Sequence, residues 1–518
     1  MINYWWVTRP KRNLSPVPSV LSTIVSTAYH KEWSGARETH LVLEESFEQR
    51  GLKRVGERRD QTGGGARTYV AWLKSLGLLF TKGKRLELTL AGQAIFNGEN
   101  PYPIISNQVL KYQFPSSYSI SRGVNVSERF HIHPFIFLLR LLRDNRVNYL
   151  TQEEIAKIVI VEAENNSDKC FEYIVNRIKQ FRDYGDECLE SDFAVKYAPS
   201  KGGRTGDKFG HLLDTANTFI NWLDYTRLIS RETSLIKAAK DKIDIIDDIL
   251  AQPRHLLNNY DDQESYQRAY GLDPAHKKDL RTLSSYAVAI STKVMKESLV
   301  KNAFISEAAK SPITAISHDL IVNIADSTGL TETEVSDIVS QKFPNTDGLL
   351  GGFLANYREM AFSSKEKATE FEIATTKIFK DIFGFTSKHV GPIGLTPDVL
   401  VLSDSERYVG IIDNKAYRDY SISNDHRNRM IHNYIENIET YYSGEFPLAF
   451  FSYIAGGFSS RIDSQISSIT DETSIHGSAI KVDYLIKMIE NQPTRNYTHE
   501  ELRRIFSVGR QIQYSDIR

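Results

Sequence analysis

Two aspartates and a lysine lie in the segment TPDVLVLSDSERYVGIIDNKAY, which runs from Thr396 to Tyr417. Two apolar runs typical of β-strands flank the polar turn SDSER, and Asp398 and Asp413 stand at the ends away from that turn. The midpoint between the aspartates falls inside the turn, so an antiparallel hairpin brings their carboxylates side by side at its open end. Lys415 follows Asp413 by two residues and therefore projects to the same face. The spacing predicts two carboxylates and an ammonium converging on one point.

Such a cluster suits a hard divalent cation. Two carboxylates and the backbone carbonyl of Asn414 leave positions on Mg²⁺ for water and a phosphate oxygen. The cation lowers the pKa of bound water and offsets charge on phosphorus, while Lys415 orients the nucleophile or stabilises the same charge. We therefore interpret Asp398, Asp413 and Lys415 as candidate catalytic residues, and Asp398, Asp413 and Asn414 as candidate metal ligands. The alternative is a hairpin end held by an ordinary salt bridge, because the pattern alone also arises by chance.

Length and charge indicate what must position this cluster. A chain of 518 residues is too long for one core and predicts three or four domains of roughly 100–200 residues each. The composition, 41% hydrophobic and 25% charged, is that of an ordinary globular protein. The net charge is −1, but residues 1–90 hold 15 Lys and Arg against 8 Asp and Glu, a local net of +7. A site for a polyanion is therefore expected to be local.

Cysteine usage and hydropathy favour a cytoplasmic protein. Cys170 and Cys188 are the only cysteines, too few for a disulfide framework or a thiolate zinc site. No segment resembles a signal peptide. The most apolar run, FIFLLRLL from Phe135, is short and interrupted by Arg140, which argues against a membrane span.

The N-terminal region has the element order of a winged helix. A basic, glycine-rich turn (RRDQTGGGA) precedes a helical run (RTYVAWLKSLGLL), and TKGKRLELTLAGQAIF then alternates as a strand that turns at Lys82-Gly83-Lys84. In a winged helix the third helix enters the major groove and the wing touches phosphate. The basic and polar residues of this turn, helix and wing are our candidates for DNA contact: Arg58, Arg59, Arg67, Thr68, Lys74, Lys82, Lys84 and Arg85.

The same order recurs further along the chain and predicts a second winged helix. A helix capped at Thr151 (TQEEIAKIVIV) is followed by DTANTFINWLDYTRLISRETSLIKAA from Asp214, in which TRLISRETSLI forms the expected wing. The segment KYAPSKGGRTGDKFG from Lys196 reads as a flexible loop that orders on DNA. Further candidates for DNA contact lie in these stretches: Lys201, Arg204, Asn217, Asn221 and Arg227.

The predicted fold is multidomain. It has a mainly α N-terminal DNA-recognition region with two winged-helix-like domains (residues 1–125 and 126–252) and a helical linker or spacer (residues 253–365). The C-terminal domain (residues 366–518) switches from helix to strands and is predicted to be α/β, a mixed central sheet flanked by helices.

Particular segments carry a family resemblance. FEIATTKIFKDIFGF, SKHVGPIGLTPD and VGIIDNKAY resemble the cleavage domain of the FokI-type restriction endonucleases, within the PD-(D/E)xK nuclease superfamily. YWWVTRP, SGARETHLVLEESF and the two winged-helix-like runs resemble the AlwI/BstNBI/PleI group of type IIS enzymes.

The resemblance implies Mg²⁺-dependent hydrolysis of double-stranded DNA at a fixed distance outside a short asymmetric site, leaving 5′-phosphate and 3′-hydroxyl ends. Asp398, Asp413 and Lys415 fall on the positions of the family's catalytic motif. Glu372 lies on the preceding helix, where such domains often carry an acidic residue that contacts water on the metal; an ordinary solvated glutamate is the alternative. A type II enzyme of this kind also implies a restriction-modification system, with a cognate DNA methyltransferase as a functional rather than physical partner.

FokI-like domains pair through a helix after the catalytic strand, using an aspartate and an arginine four residues apart. Asp425 and Arg429 have that spacing, so the resemblance implies a transient homodimer on DNA, in the cytoplasm of a prokaryote. Their offset from Lys415 departs from the family pattern, which leaves pairing, and with it double-strand cutting, open. A strand-specific nicking endonuclease with the same centre is an alternative. A non-catalytic DNA-binding regulator is a second alternative, which the intact aspartate and lysine set disfavours.

Overall fold

The structure is a computed structural model that describes residues 2–29, 31–54, 62–116, 126–198, 209–232, 235–258, 261–281, 292–313, 315–343, 350–363, 367–391 and 396–518. The chain forms two compact units. The first contains Met1–Ser230, Ser234–Ser306 and Asp319–Pro344, and the second contains Arg231–Thr233, Glu307–His318 and Asn345–Arg518. No helix in the described part of the chain combines the length and hydrophobicity needed to cross a membrane.

The chain before residue 345 is mainly helical, as predicted. Its described helices are Val17–Ala28, Arg37–Gln49, Gly64–Ser75, Leu90–Phe96, Pro101–Lys111, Pro134–Arg143, Gln152–Glu154 (continued by Ile155–Val159 and Ile160–Glu162), Asp168–Tyr184, Gly185–Cys188, Phe193–Lys196, Gly210–Tyr225, Lys240–Lys242, Ile243–Ala251, Gln263–Tyr270, Thr292–Lys310, His318–Thr328 and Glu332–Lys342.

Two small sheets interrupt these helices. Strands β1 (Leu79–Lys82) and β2 (Arg85–Leu88) form an antiparallel hairpin after the helix Gly64–Ser75. Gly83 lies at its turn with φ 57°, a conformation that glycine adopts without strain. A second sheet has the strand order β3-β5-β4 and comprises β3 (Leu150–Thr151), β4 (Ile229–Arg231) and β5 (Leu235–Ala238).

Local sequence explains where two of these helices begin. Thr151 accepts a hydrogen bond from the backbone N–H of Glu154, whose side chain accepts one from the N–H of Thr151 in return. This capping box satisfies two N–H groups that the helix leaves unpaired, and it starts the helix where the sequence predicts. Thr89 likewise accepts from the N–H of Gly92 and begins the helix that follows β2.

The second unit is built on a mixed five-stranded sheet with the order β10-β9-β8-β7-β6. Its strands are β6 (Thr386–His389), β7 (Val399–Ser403), β8 (Tyr408–Asn414), β9 (Leu448–Ala455) and β10 (Gly477–Lys481). β6, β7 and β8 pair antiparallel, whereas β9 pairs parallel with both β8 and β10. The predicted mixed sheet flanked by helices is confirmed.

Helices cover both faces of this sheet. One face carries a core that includes Val401, Ile412 and Phe450, packed by the helices Leu350–Ala361, Ala368–Lys377 with Ile378–Ile382, Val482–Arg495 and His499–Phe506. The other face carries a core that includes Leu400 and Ile411, packed by the helices Asn424–Asn428 with Arg429–Ile435, Ile438–Tyr441 and Ile462–Thr473.

Strand β8 is the middle strand of the sheet, and all seven of its residues are buried. A strand covered on both faces is apolar at nearly every position. Gly410 allows β9 to approach closely, because a Cβ at this position would lie 2.3 Å from the ring of Phe450. Asp413 is therefore a charged residue at the end of an otherwise apolar, fully covered strand.

Candidate active site

Strands β7 and β8 place the two aspartates opposite each other. Val399 faces Ile412 in the antiparallel register, so Asp398 and Asp413 form the next pair at the open end of the hairpin. The backbone N–H of Asn414 donates a hydrogen bond of 2.6 Å to Oδ2 of Asp398. This bond ties the first carboxylate to the end of β8, in the hairpin that the sequence pattern predicts.

Lys415 joins the pair. Its Nζ lies 2.7 Å from Oδ2 of Asp413, and the two side chains are only 15% and 4% exposed. Oδ1 of Asp413 is buried, and no hydrogen-bond partner for it is found among the described residues. The structure thus brings Asp398, Asp413 and Lys415 to one point and leaves one carboxylate oxygen without a donor.

Burial and mutual repulsion shape the charges of this cluster. Burial, and then the charge of Asp413, raise the pKa of Asp398 well above its ordinary value. Burial by itself would lower the pKa of Lys415, but Asp413 and Asp398 outweigh it and the pKa is raised. Two buried carboxylates beside one ammonium carry excess negative charge, which a bound cation would offset.

The oxygen atoms present fit a hard divalent cation. In an extended strand the N–H and C=O of one residue point to the same side, so the carbonyl of Asn414 points towards Asp398, as its N–H does. No group of three or more His, Cys, Asp or Glu side chains suited to a metal is found in the described part of the chain. A cation here would therefore be held by the two carboxylates, with a backbone oxygen and water completing its shell.

Glu372 lies at the edge of this cluster. Its charge acts on the pKa values of both Asp398 and Lys415. Its Oε2, however, lies 3.0 Å from Nε2 of His389, at the end of β6. His389 carries no sequence signal of this contact, because nothing local to β6 indicates that a helix carboxylate reaches it.

A buried hydrogen-bond network holds the end of β8 from behind. The side-chain Nδ2 of Asn414 donates to Oγ1 of Thr375 at 2.7 Å, and the hydroxyl of Tyr357 lies 2.7 Å from the same oxygen. Thr375 Oγ1 itself donates to the carbonyl of Phe371 at 2.9 Å, so the Tyr357 hydroxyl is the donor to Thr375. This network fixes the side chain of the residue between Asp413 and Lys415.

The segment after Lys415 is fastened to the end of β9. The N–H of Gly457 donates to the carbonyl of Tyr417 at 3.2 Å, and the N–H of Tyr420 donates to the carbonyl of Gly457 at 2.9 Å. A Cβ at Gly457 would lie 2.2 Å from the carbonyl oxygen of Arg418. Only glycine permits this close approach, which holds the loop beside the carboxylates.

Tyrosines line the other side of the cluster. Tyr453 of β9 faces Asp413 in the parallel register, and its hydroxyl is buried with no hydrogen-bond partner among the described residues. Burial, followed by neighbouring Tyr420 and Asp413, raises the pKa of Tyr453 well above its ordinary value. Burial and then Asp413 also raise the pKa of Tyr434. These hydroxyls therefore stay protonated. No sequence signal distinguishes the two residues from core tyrosines.

Asp425 and Arg429, the candidates for pairing between two copies, lie on the helix that follows this loop. Oδ2 of Asp425 and the guanidinium of Arg429 form an ion pair at 2.6 Å, four residues apart on one helix face. Their side chains are 66% and 38% exposed. Both charges are thus accessible and are satisfied by each other within the chain.

The candidates for DNA contact in the first winged-helix-like region differ in exposure. Thr68 is exposed and Arg67 half-buried on the helix Gly64–Ser75, and the guanidinium of Arg67 donates to the carbonyl of Thr62 at 2.6 Å. Lys74 is buried, and its Nζ donates to the hydroxyl of Thr81. Arg67 and Thr68 are therefore the accessible positions of this helix.

The hairpin of β1 and β2 carries the other basic candidates. Lys82 lies 3.5 Å from Glu264, and Lys84 lies 3.8 Å from Glu32 with both side chains more than 60% exposed. Arg85 is half-buried at the start of β2. Exposed ion pairs of this length contribute little to stability, so these cations can exchange their partners for phosphate at small cost.

In the second winged-helix-like region, Asn217 and Asn221 lie one turn apart on the helix Gly210–Tyr225 and are half-buried. The guanidinium of Arg227 lies over the ring of Tyr102 at 5.9 Å. The remaining candidates, Arg58, Arg59, Lys201 and Arg204, lie outside the described residues.

Comparison with known proteins agrees with the fold and geometry of the second unit. Residues 329–513 match the family model of the FokI cleavage domain, which is less than half of the chain. A curated relative, the type II restriction enzyme StsI of Streptococcus sanguinis, is 28% identical over 153 residues. That alignment covers 27% of this chain and 25% of StsI, so the chain spans only about a quarter of its relative.

Solved structures of restriction endonucleases are also among the similar proteins. The structure of FokI bound to DNA is 15% identical, with a TM-score of 0.30, and covers 88% of this chain and 83% of that one. The BpuJ1 endonuclease binding domain in complex with modified DNA is 17% identical, with a TM-score of 0.37, and covers 52% and 94%. Because both TM-scores lie below 0.5, neither alignment establishes a shared fold. The match over residues 329–513 confirms the prediction of a FokI-like nuclease domain in the C-terminal part of the chain.

Proposed function

We propose that this chain is a type IIS restriction endonuclease of the AlwI/BstNBI/PleI kind with a PD-(D/E)xK centre. It binds a short asymmetric site in double-stranded DNA and hydrolyses phosphodiester bonds at a fixed distance outside that site. The products carry 5′-phosphate and 3′-hydroxyl ends, and the cofactor is Mg²⁺.

One observation carries this proposal: Asp398 and Asp413 stand opposite each other with Lys415 against the second carboxylate, inside the segment that matches the FokI cleavage domain. A salt-bridged hairpin end would need only one carboxylate for its lysine. The second carboxylate adds a negative charge whose burial is costly, and a bound divalent cation would compensate that charge.

Each residue has a distinct part in the proposed reaction. Asp398 and Asp413, with the carbonyl of Asn414, would hold the cation. When bound there, Mg²⁺ would lower the pKa of water and offset the charge that develops on the phosphate. Lys415 orients the attacking water or stabilises the same charge. Glu372 accepts a hydrogen bond from that water after its own contact with His389 breaks.

DNA recognition falls to the N-terminal region in this proposal. Residues 1–125 and 126–252 are the two winged-helix-like modules, and residues 253–365 contain the spacer. The nuclease domain is residues 366–518 together with the helix Leu350–Ala361, which packs into its core. Arg67 and Thr68 on the helix before β1 and Lys82, Lys84 and Arg85 on the hairpin are the proposed residues of the first DNA contact. Only base-edge contacts set the sequence that is read.

Cleavage of supercoiled plasmid tests the proposal. The protein is incubated with plasmid and either Mg²⁺ or EDTA, and the ends are mapped by run-off sequencing. We expect linear DNA with Mg²⁺ and cuts at a constant distance from one short sequence, and intact plasmid with EDTA. Intact plasmid under every metal condition would refute the enzymatic proposal and leave a DNA-binding regulator.

A pair of variants on the same hairpin locates the centre. Asp413→Ala removes a proposed ligand and is expected to abolish cutting while leaving site binding nearly unchanged. Asp404→Ala is the matched control, because Asp404 lies exposed in the turn at the other end of the hairpin. Its one hydrogen bond to the described residues is accepted from Thr386 at 3.0 Å. Cutting by the Asp413 variant at the parent rate would show that the site is elsewhere.

A strand-specific nicking endonuclease is the second candidate function. Asp425 and Arg429 satisfy each other within one helix, so pairing of two nuclease domains through these residues would have to replace that ion pair. One centre hydrolyses one strand, and without pairing the product is a nick. Open-circular plasmid that never becomes linear would establish this alternative.

A further inference from the structure

His426 lies beside the candidate active site on the helix Asn424–Asn428. Its Nδ1 lies 2.9 Å from the hydroxyl of Tyr420, and the two rings stack with centroids 5.8 Å apart. The ring is half-buried, so part of it is open to solvent. No second hydrogen-bond partner for the imidazole is found in the described part of the chain.

Aromatic rings connect His426 to the carboxylates. The ring of Tyr420 lies 5.6 Å from that of Tyr453, and Tyr453 faces Asp413 in the register of β8 and β9. The backbone of Tyr420 is held to the end of β9 by its bond to the carbonyl of Gly457. His426 is therefore positioned by the same end of the sheet that carries the catalytic cluster.

The hydrogen-bond direction fixes which nitrogen carries the proton. Tyr420 is 4% exposed. Among the described residues, Nδ1 of His426 is the one hydrogen-bond partner of its hydroxyl. Burial, and then Asp413, raise the pKa of Tyr420, so the phenol keeps its proton. Because a buried hydroxyl donates to its available acceptor, Nδ1 accepts and the imidazole hydrogen is on Nε2.

Charges surrounding the imidazole come from two elements. Lys415 and Asp413 act on it from β8 and the segment that follows, and Arg429 and Asp425 from its own helix. Burial outweighs these charges and, with Lys415, lowers the pKa of His426 below its ordinary value. At neutral pH the ring is uncharged and has one N–H group left to donate.

We propose that His426 donates a hydrogen bond from Nε2 to a non-bridging oxygen of the DNA phosphate bound at the Asp398–Asp413 centre. The inference rests on the proposed function. Lys415 is already engaged with Asp413, so the phosphate gains from a second donor, and this donor is uncharged. Tyr420 is a positioning residue in this arrangement, since it acts by orienting the imidazole.

Single-turnover cleavage and DNA binding, measured separately on the full-length protein with Mg²⁺, test the inference. His426→Ala is expected to slow cleavage by about 10- to 100-fold, the loss typical of a hydrogen bond to a charged group, with binding of the recognition site changed less than about 3-fold. Tyr420→Phe is expected to slow cleavage by a smaller factor, and imidazole in the buffer should restore part of the rate of His426→Ala.

Two further variants keep the test decisive. His432→Ala is the matched control, because His432 lies on the continuation of the same helix with its exposed ring paired to Glu436 at 2.9 Å; it should cleave as the parent does. His426→Gln retains a side-chain N–H and should cleave at a rate closer to that of the parent than His426→Ala does. This variant replaces His426→Ala in the test if the alanine variant fails to fold.

The outcomes separate the two ideas. If the parent cleaves with Mg²⁺ but folded His426→Ala and His426→Gln cleave at the same rate as the parent, the inference is refuted and the proposed function stands. If the parent does not cleave with any divalent metal, the proposed function fails first. Loss of rate in His432→Ala equal to that in His426→Ala would also refute a specific phosphate contact.

Discussion

Replacing Thr375 by valine would remove the centre of the hydrogen-bond network behind β8. Oγ1 of Thr375 accepts hydrogen bonds from Nδ2 of Asn414 and from the hydroxyl of Tyr357, each at 2.7 Å. Thr375 and Tyr357 are fully buried, and Asn414 is 7% exposed. Valine has nearly the same shape, so the backbone is retained while both donors lose their acceptor.

The structure sets the size of the effect. Each buried donor left without a partner costs about 1–3 kcal/mol, so Thr375→Val, which leaves two such donors, is expected to lower the free energy of unfolding by roughly 2–6 kcal/mol. Cleavage should fall further than stability alone explains, because Asn414 lies between Asp413 and Lys415 and its side chain would no longer be held. Urea unfolding of the metal-free protein and cleavage of plasmid below the unfolding transition measure the two effects.

Thr376→Val is the matched control on the next residue of the same helix. Its hydroxyl only donates to the carbonyl of Glu372, one turn earlier, at 3.0 Å. A change within about 0.5 kcal/mol is expected, as for most substitutions outside buried networks. If both valine variants unfold at the same urea concentration, the network does not stabilise the domain and our account of how Asn414 is held is refuted.

Three further predictions follow from the same domain. Burial and Asp413 hold the pKa of Asp398 above its value in the unfolded chain. The native state therefore binds this proton more tightly, and the free energy of unfolding falls as the pH rises from about 4 through the folded pKa. Asp398→Asn should unfold at a higher urea concentration than the parent at pH 7, with a smaller difference at low pH, and equal urea midpoints at pH 7 would contradict this. Gly457→Ala should lower the free energy of unfolding by roughly 1–3 kcal/mol, because the added Cβ would meet the carbonyl of Arg418. Gly352 has open space around it, so Gly352→Ala should leave stability unchanged or raise it by about 0.5 kcal/mol. Thermal unfolding of the two variants tests this difference. Arg429→Ala should reduce linear product while nicking continues if two domains pair through this helix, and an unchanged ratio of linear to nicked plasmid would exclude such pairing.

The hairpin of β7 and β8 could be predicted because all of its signals are local. The apolar runs, the polar turn and the symmetric aspartates determine the register within a short segment, and the alternation of side chains then places Lys415. The predicted helix and the turn at Gly83 are present in the first winged-helix-like region. Leu90–Phe96, which the sequence pattern assigned to a strand, is instead a helix that begins at the cap residue Thr89.

The residues that the sequence did not reveal reach the site from distant parts of the chain. His389 belongs to an edge strand with no apolar pattern, and its contact with Glu372 depends on how a helix packs over that strand. Tyr357 comes from a helix that the sequence assigns to the spacer, although Leu350–Ala361 packs into the nuclease core. Tyr453 resembles any core tyrosine until its register with Asp413 is known.

The four-residue turn between β7 and β8, residues 404–407, is exposed throughout and stands at the opposite end of the hairpin from the carboxylates. Five residues of β7 separate the two ends, about 17 Å of extended chain. A peptide tag or a fluorescent reporter inserted in this turn would leave the pairing of Asp398 with Asp413 intact, because the register is set along the strands. A single residue inserted within β7 would instead turn Asp398 to the opposite face of the sheet. The hairpin therefore offers a site for labelling an active enzyme and, a few residues away, a site for inactivating it without removing any side chain.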